Sequence, residues 1–129
     1  MAYVVKERGD IVIIEFTTHV IGGHISLREV FSEAEVSESP LALALFKTLF
    51  ELIDSGRNKI VMDLRTVKFM NSSGLGLLIG AVTKVRQAGG DIRLTHLTEK
   101  IQRLLTVTQV KGMISSYQTM DQAIASFAA

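Results

Sequence analysis

In the first sixteen residues, apolar positions form short β-branched runs. Tyr3-Val4-Val5 and Ile11-Val12-Ile13-Ile14-Glu15-Phe16 predict two strands, and Arg8-Gly9-Asp10 between them predicts a hairpin turn. From Thr17 to Ser39 the pattern breaks. This stretch holds Gly22-Gly23-His24, an apolar-periodic piece (Ile25, Leu27, Val30, Phe31) and an acidic piece with Glu33, Glu35 and Glu38. It is long for one connection in a compact domain. The reading is a second strand continuing to about Ile21, then a short helix or a mobile loop.

Ser39-Pro40 predicts a helix start, with Ser39 capping free N–H groups and proline at the first helical position. The helix runs to about Asp54, and Ser55-Gly56 ends it. Leu41, Leu45, Leu49, Leu52 and Ile53 make one stripe at 3.6-residue spacing. Leu43, Phe46 and Phe50 widen the apolar arc to roughly 200°, more than packing on a sheet requires. Two covers suit the extra width: the Thr17–Ser39 stretch or a partner protein.

Lys59 to Leu64 is almost continuously apolar, as expected of a central parallel strand covered on both faces. A second helix is predicted from about Ser73 to Ala88, stopped by Gly89-Gly90. Gly74, Gly76 and Gly80 weaken it, which signals close approach of something to the backbone. Close packing is favoured for Gly80; Gly74 and Gly76 suit either packing or a ligand. Asp91 to Leu97 is a further strand. Thr98 caps a helix from Glu99 to about Thr106, with Ile101, Leu104 and Leu105 inward. Met113 to Tyr117 is a short strand, and Thr119 starts a last helix with Gln122 at the capping-box position. Its apolar face is Ala123, Ile124 and Phe127.

This order predicts a single α/β domain over residues 1–129, with a mixed, mostly parallel sheet of about four to five strands and about four helices. Right-handed crossovers bring the strand-to-helix loops to one sheet edge, where ligands and partners meet such folds. Thr17–Ser39 and Arg65–Ser73 are therefore expected to be neighbours.

Composition narrows the function. Hydrophobic residues are 47% and charged residues 21% of the chain, an ordinary globular balance. A formal net charge of +1, with no basic stripe, argues against nucleic acid as a partner. No stretch is apolar enough to predict membrane insertion, and the N-terminus lacks a signal-peptide pattern, so the expectation is a cytoplasmic protein. Without cysteine there is no disulfide, thiolate metal site or cysteine nucleophile.

The chemistry concentrates at Asn71-Ser72-Ser73, a polar turn between a strand and a helix. Unpaired N–H groups and the helix dipole there favour negative charge. A serine nucleophile would need a base, and His19, His24 and His96 are the candidates; the G-x-S-x-G elbow is absent. Asp63 suits either a strand-end hydrogen bond or Mg²⁺ beside a phosphate. No standard nucleotide loop is present, and no cofactor or metal site is predicted. The remaining role is serine as a substrate. A phosphate there adds roughly two negative charges, which the helix start tolerates and an apposed partner does not. Plain capping by the serines is the simpler alternative.

Val61-Met62-Asp63-Leu64 followed by Phe69-Met70-Asn71-Ser72-Ser73-Gly74-Leu75-Gly76 resembles the signature of the STAS domain family, in its branch of bacterial anti-sigma factor antagonists. Arg86-Gln87-Ala88-Gly89-Gly90-Asp91 and the Ile101–Leu105 helix fit the same pattern. The resemblance implies a non-enzymatic partner switch. The unmodified antagonist binds an anti-sigma factor that is also a serine kinase, the kinase phosphorylates the antagonist, and a PP2C-type phosphatase reverses this. On this chain the phosphorylated residue is Ser72, with Asn71, Ser73, Gly74, Leu75, Gly76 and the Gly22, Gly23, His24 segment in the partner surface. The family often has aspartate where Asn71 stands, and Gly22-Gly23-His24-Ile25 is a loose echo of its Gly-x-Leu-Asp turn, followed by an insertion. A structural scaffold subunit in a signalling or lipid-transport assembly, and a small-ligand or nucleotide sensor, are the alternatives. The wide arc of the Pro40–Asp54 helix also suits a homodimer.

Overall fold

The computed structural model describes residues 2–21 and 40–128. The expectations for Gly22, Gly23, His24, the acidic stretch and the Ser39 cap lie outside the described residues. The described elements are β1 (Tyr3–Arg8), β2 (Ile11–Phe16), β3 (Val20–Ile21), α1 (Pro40–Asp54), β4 (Lys59–Asp63), β5 (Phe69–Met70), α2 (Ser72–Gln87), β6 (Asp91–Thr95), α3 (Glu99–Val107), β7 (Ser116–Tyr117) and α4 (Met120–Ala125). A single 3₁₀ turn, Ser126–Ala128, follows.

The main sheet has five strands in the order β1-β2-β4-β6-β7. β1 and β2 form the expected antiparallel hairpin, from Tyr3 opposite Phe16 to Arg8 opposite Ile11. The remaining pairs are parallel. Side chains alternate across the sheet, so the two faces build two cores of unequal depth. On one face α1, α2 and α3 bury Leu45, Leu49, Leu78, Val82, Ile101 and Leu105 against Val12, Ile14, Ile60, Met62, Ile92 and Leu94. On the other, α4 brings Ala123 against Ile11, Ile13 and Val61. Ile60, Val61 and Met62 are therefore all buried, which explains the unbroken apolar run of β4.

The mixed, mostly parallel sheet matches the expectation, and three details differ. β2 stops at Phe16 and does not continue to Ile21. The Thr18 hydroxyl donates to the Val20 carbonyl and accepts from the Val20 N–H, which turns the chain away from β2. Val20 and Ile21 then pair in parallel with Phe69 and Met70, forming a separate two-stranded sheet. Second, Phe69-Met70 is itself a strand, although two residues are too few to show a period. Third, β7 is only Ser116–Tyr117, because a turn at Val110 to Met113 takes up the residues before it. The expected proximity of the two loop regions holds for the described part. The N–H groups of Lys68 and Phe69 donate to the His19 carbonyl at 2.8 and 3.1 Å.

Candidate functional site at the start of α2

α2 begins at Ser72, and its N-cap is Asn71. The Asn71 side chain accepts the Gly74 N–H at 2.9 Å, and its carbonyl accepts the Leu75 N–H at 2.9 Å. The Asn71 N–H reaches back to the Ile21 carbonyl. Capping therefore falls to asparagine, and neither serine performs it. Ser72 stands at the first helical position with its side chain exposed; Ser73 is half-buried. Removing the cap by Asn71→Ala is expected to cost about 1 kcal/mol of unfolding free energy, read from urea denaturation.

Gly74 is buried because β3 crosses directly over it. A Cβ there would lie 2.3 Å from the Ile21 carbonyl oxygen. Close packing thus accounts for Gly74. Gly76 is different: it is exposed, and a Cβ built on it would have nothing within 4 Å. At Gly80 a Cβ would sit 3.4 Å from Phe46, so that glycine marks where α1 and α2 approach.

Between α1 and α2 lies an open groove of about 690 Å³. Ser72, Ser73, Gly76 and Leu77 form one wall, and Leu43, Phe46, Lys47, Phe50 and Glu51 the other. Leu43 is 55% and Phe50 45% exposed. Lys84 lies over the Phe50 ring, its Nζ 5.0 Å from the centroid. The excess width of α1's apolar arc thus opens beside Ser72. Leu75 packs at the edge of the main core.

The other candidate groups sit elsewhere. His19 Nδ1 is 3.3 Å from the Thr66 carbonyl, and His96 Nε2 is 2.9 Å from the Arg65 guanidinium. Neither hydrogen-bonds to Ser72 or Ser73, so no described base activates a serine. Asp63 Oδ1 accepts the Arg65 N–H at 2.9 Å, the strand-end hydrogen bond among its two readings. Among the described residues no three His, Cys, Asp or Glu side chains converge on a possible metal position, and no helix is long and apolar enough to cross a membrane. Sequence reasoning did not foresee exposed Phe69, which borders a second, smaller groove with Leu104 and Val107; its two-residue strand was the hidden signal.

The family model for the STAS domain matches residues 2–123. The chain belongs to the STAS domain family. In sequence it is 31% identical over 85 residues to the anti-sigma-B factor antagonist of Bacillus subtilis, a match covering 66% of this chain and 74% of that one. A putative anti-sigma factor antagonist of Thermotoga maritima is 28% identical over 74 residues, 57% of this chain and 66% of the relative, slightly under two thirds of its length. A crystal structure of a putative antagonist from Thermotoga maritima has a TM-score of 0.72 at 21% identity, covering 98% of this chain and 95% of that one. The Bacillus cell fate determinant SpoIIAA, solved in its phosphorylated form, has a TM-score of 0.61 at 16% identity, covering 98% and 99%. These structural likenesses establish the same fold. In this STAS domain Asn71-Ser72-Ser73-Gly74 forms the junction from β5 into α2.

Proposed function

We propose that this STAS domain is a phosphorylation-controlled binding module that acts as an anti-sigma factor antagonist. Its partner is an anti-sigma factor with serine kinase activity, and phosphate on Ser72 releases it. One observation carries the reading: Ser72 is exposed at the start of α2, its capping duty is taken by Asn71, and an exposed apolar groove opens beside it. The described residues leave its hydroxyl without a hydrogen bond, so modification costs the fold no contact. The helix N-terminus tolerates the dianion. A partner seated over Leu43, Phe50 and Ser72 would have to bury that charge, and this breaks the complex. The antagonist names of the Bacillus and Thermotoga relatives support the same reading. So does the existence of a phosphorylated form of SpoIIAA. A PP2C-type phosphatase completes the cycle, and the module itself needs no cofactor.

The test is capture from native extract on wild-type, Ser72→Ala and Ser72→Glu baits, with mass spectrometry of what binds. Wild type and Ser72→Ala are expected to retain an ATP-binding serine kinase. Ser72→Glu should bind it about 100-fold more weakly, equivalent to roughly 3 kcal/mol. Incubation with that kinase and ATP should place phosphate on Ser72. Equal retention of the same subunits by all three baits would instead make the module a scaffold.

A further inference from the structure

The sheet face opposite the Ser72 groove changes character along its strands. The register places Ile13 beside Val61, and α4 covers that apolar row. One pleat further on, toward the C-terminal ends of β2, β4 and β6, the row reads Glu15, Asp63, Thr95. Two carboxylates and a hydroxyl stand side by side where further apolar packing would be expected.

Two members of this row are poorly provided for. Asp63 is 5% exposed, yet the described residues offer it no ion pair and only one hydrogen bond, from the Arg65 N–H. Thr95 is wholly buried, and its hydroxyl has no hydrogen-bond partner. A buried charge is normally paired, and an orphaned hydroxyl is costly. Of the two, Asp63 lines a cavity, where a donor-rich cation would satisfy it. Glu15 is already held by Lys6 at 3.0 Å.

A cavity of about 310 Å³ opens over Glu15 and Asp63. Its rim carries Arg8, Arg65 and His96, and Ile13 and Met120 supply apolar wall. Arg65 contacts His96 through a donor-only group, so His96 Nε2 is the acceptor and the ring proton sits on Nδ1. His96 holds a left-handed φ of 57°, a conformation that non-glycine residues adopt at a cost, and it stands directly after Thr95. Arg8 is only loosely engaged, 3.8 Å from an exposed Asp121.

The geometry points to a binding site for a free α-amino acid with an apolar side chain, its ammonium on Asp63 and its carboxylate on the Arg65 and Arg8 guanidinium groups. A buried carboxylate and two guanidinium groups lining one small cavity match the two charges of a zwitterion. The cavity lies at the small end of ligand sites, which suits a ligand of amino-acid size. Ile13 and Met120 select the side chain. The site is on the other face of the sheet from Ser72 and stands or falls separately from the partner switch.

The experiment is an NMR titration of the ¹⁵N-labelled chain with L-alanine, L-valine, L-leucine and L-isoleucine up to about 10 mM, an affinity range accessible to so small a ligand. At least one should produce saturable shifts at the Asp63, Thr95 and His96 amides. Isovalerate, which lacks the ammonium, and isobutylamine, which lacks the carboxylate, should bind the wild-type chain at least about tenfold more weakly. Asp63→Asn should lose the shifts with an unchanged spectrum elsewhere. No saturable shift with any of the four amino acids overturns the proposal. So does equal binding of isovalerate, a result that needs no variant to fold.

Discussion

Gly74→Ala is expected to destabilise the protein by about 1–3 kcal/mol, and Gly74→Val by more. Two effects compete. Alanine is the better helix former by roughly 1 kcal/mol, which alone would stabilise α2. Against it stands a Cβ placed 2.3 Å from a backbone oxygen, that of Ile21. Backbone cannot rotate aside as a side chain does. α2 cannot withdraw either, because the Asn71 N–H binds the same Ile21 carbonyl. The clash therefore wins. Gly76→Ala is the internal comparison, since nothing lies within 4 Å of the added carbon. It is expected to stabilise by up to about 1 kcal/mol. Urea denaturation followed by circular dichroism measures both, and equal effects would contradict the crossing of β3 over α2.

Leu49→Ala is expected to cost about 2–5 kcal/mol, because the wholly buried Leu49 joins α1 to the main core and its removal leaves a cavity. Leu43→Ala, on the same helix, should change stability by no more than about 0.5 kcal/mol. Leu43 is 55% exposed and lines the groove beside Ser72. Its loss should appear in partner capture, where the helix supplies contact area, and leave the urea midpoint alone. If Leu43→Ala unfolded the protein as readily as Leu49→Ala, the groove would be part of the core.

The elements with a long period were legible. α1, α2 and β4 carry enough apolar positions to reveal their type, and the apolar arc of α1 announced a face that the sheet does not cover. Asn71 and Ser72 were legible as a helix start, but the division of labour between them was not. Asparagine and serine are near-equivalent caps, and only the position of Gly74's N–H decides which is used. β3 and β5 were illegible for a simpler reason: two residues have no periodicity. The pairing of Glu15, Asp63 and Thr95 was hidden too, because register across three parallel strands depends on tertiary packing. Asp63 by itself looked like an ordinary strand end, and in its hydrogen bond to Arg65 it is one.

The unequal depth of the two cores sets where the molecule opens first. Among the described residues, three helices press on one face, and the other relies on the six-residue α4 and the two-residue β7. Backbone amides in α4 should exchange with solvent deuterium through a shallow, local opening, while those of β4 wait for global unfolding. Met120 belongs to this thin layer and also walls the cavity above Asp63. Lifting α4 thus uncovers the buried carboxylate while the sheet and the Ser72 surface stay intact, and any solute held in that cavity acts as a latch on the layer.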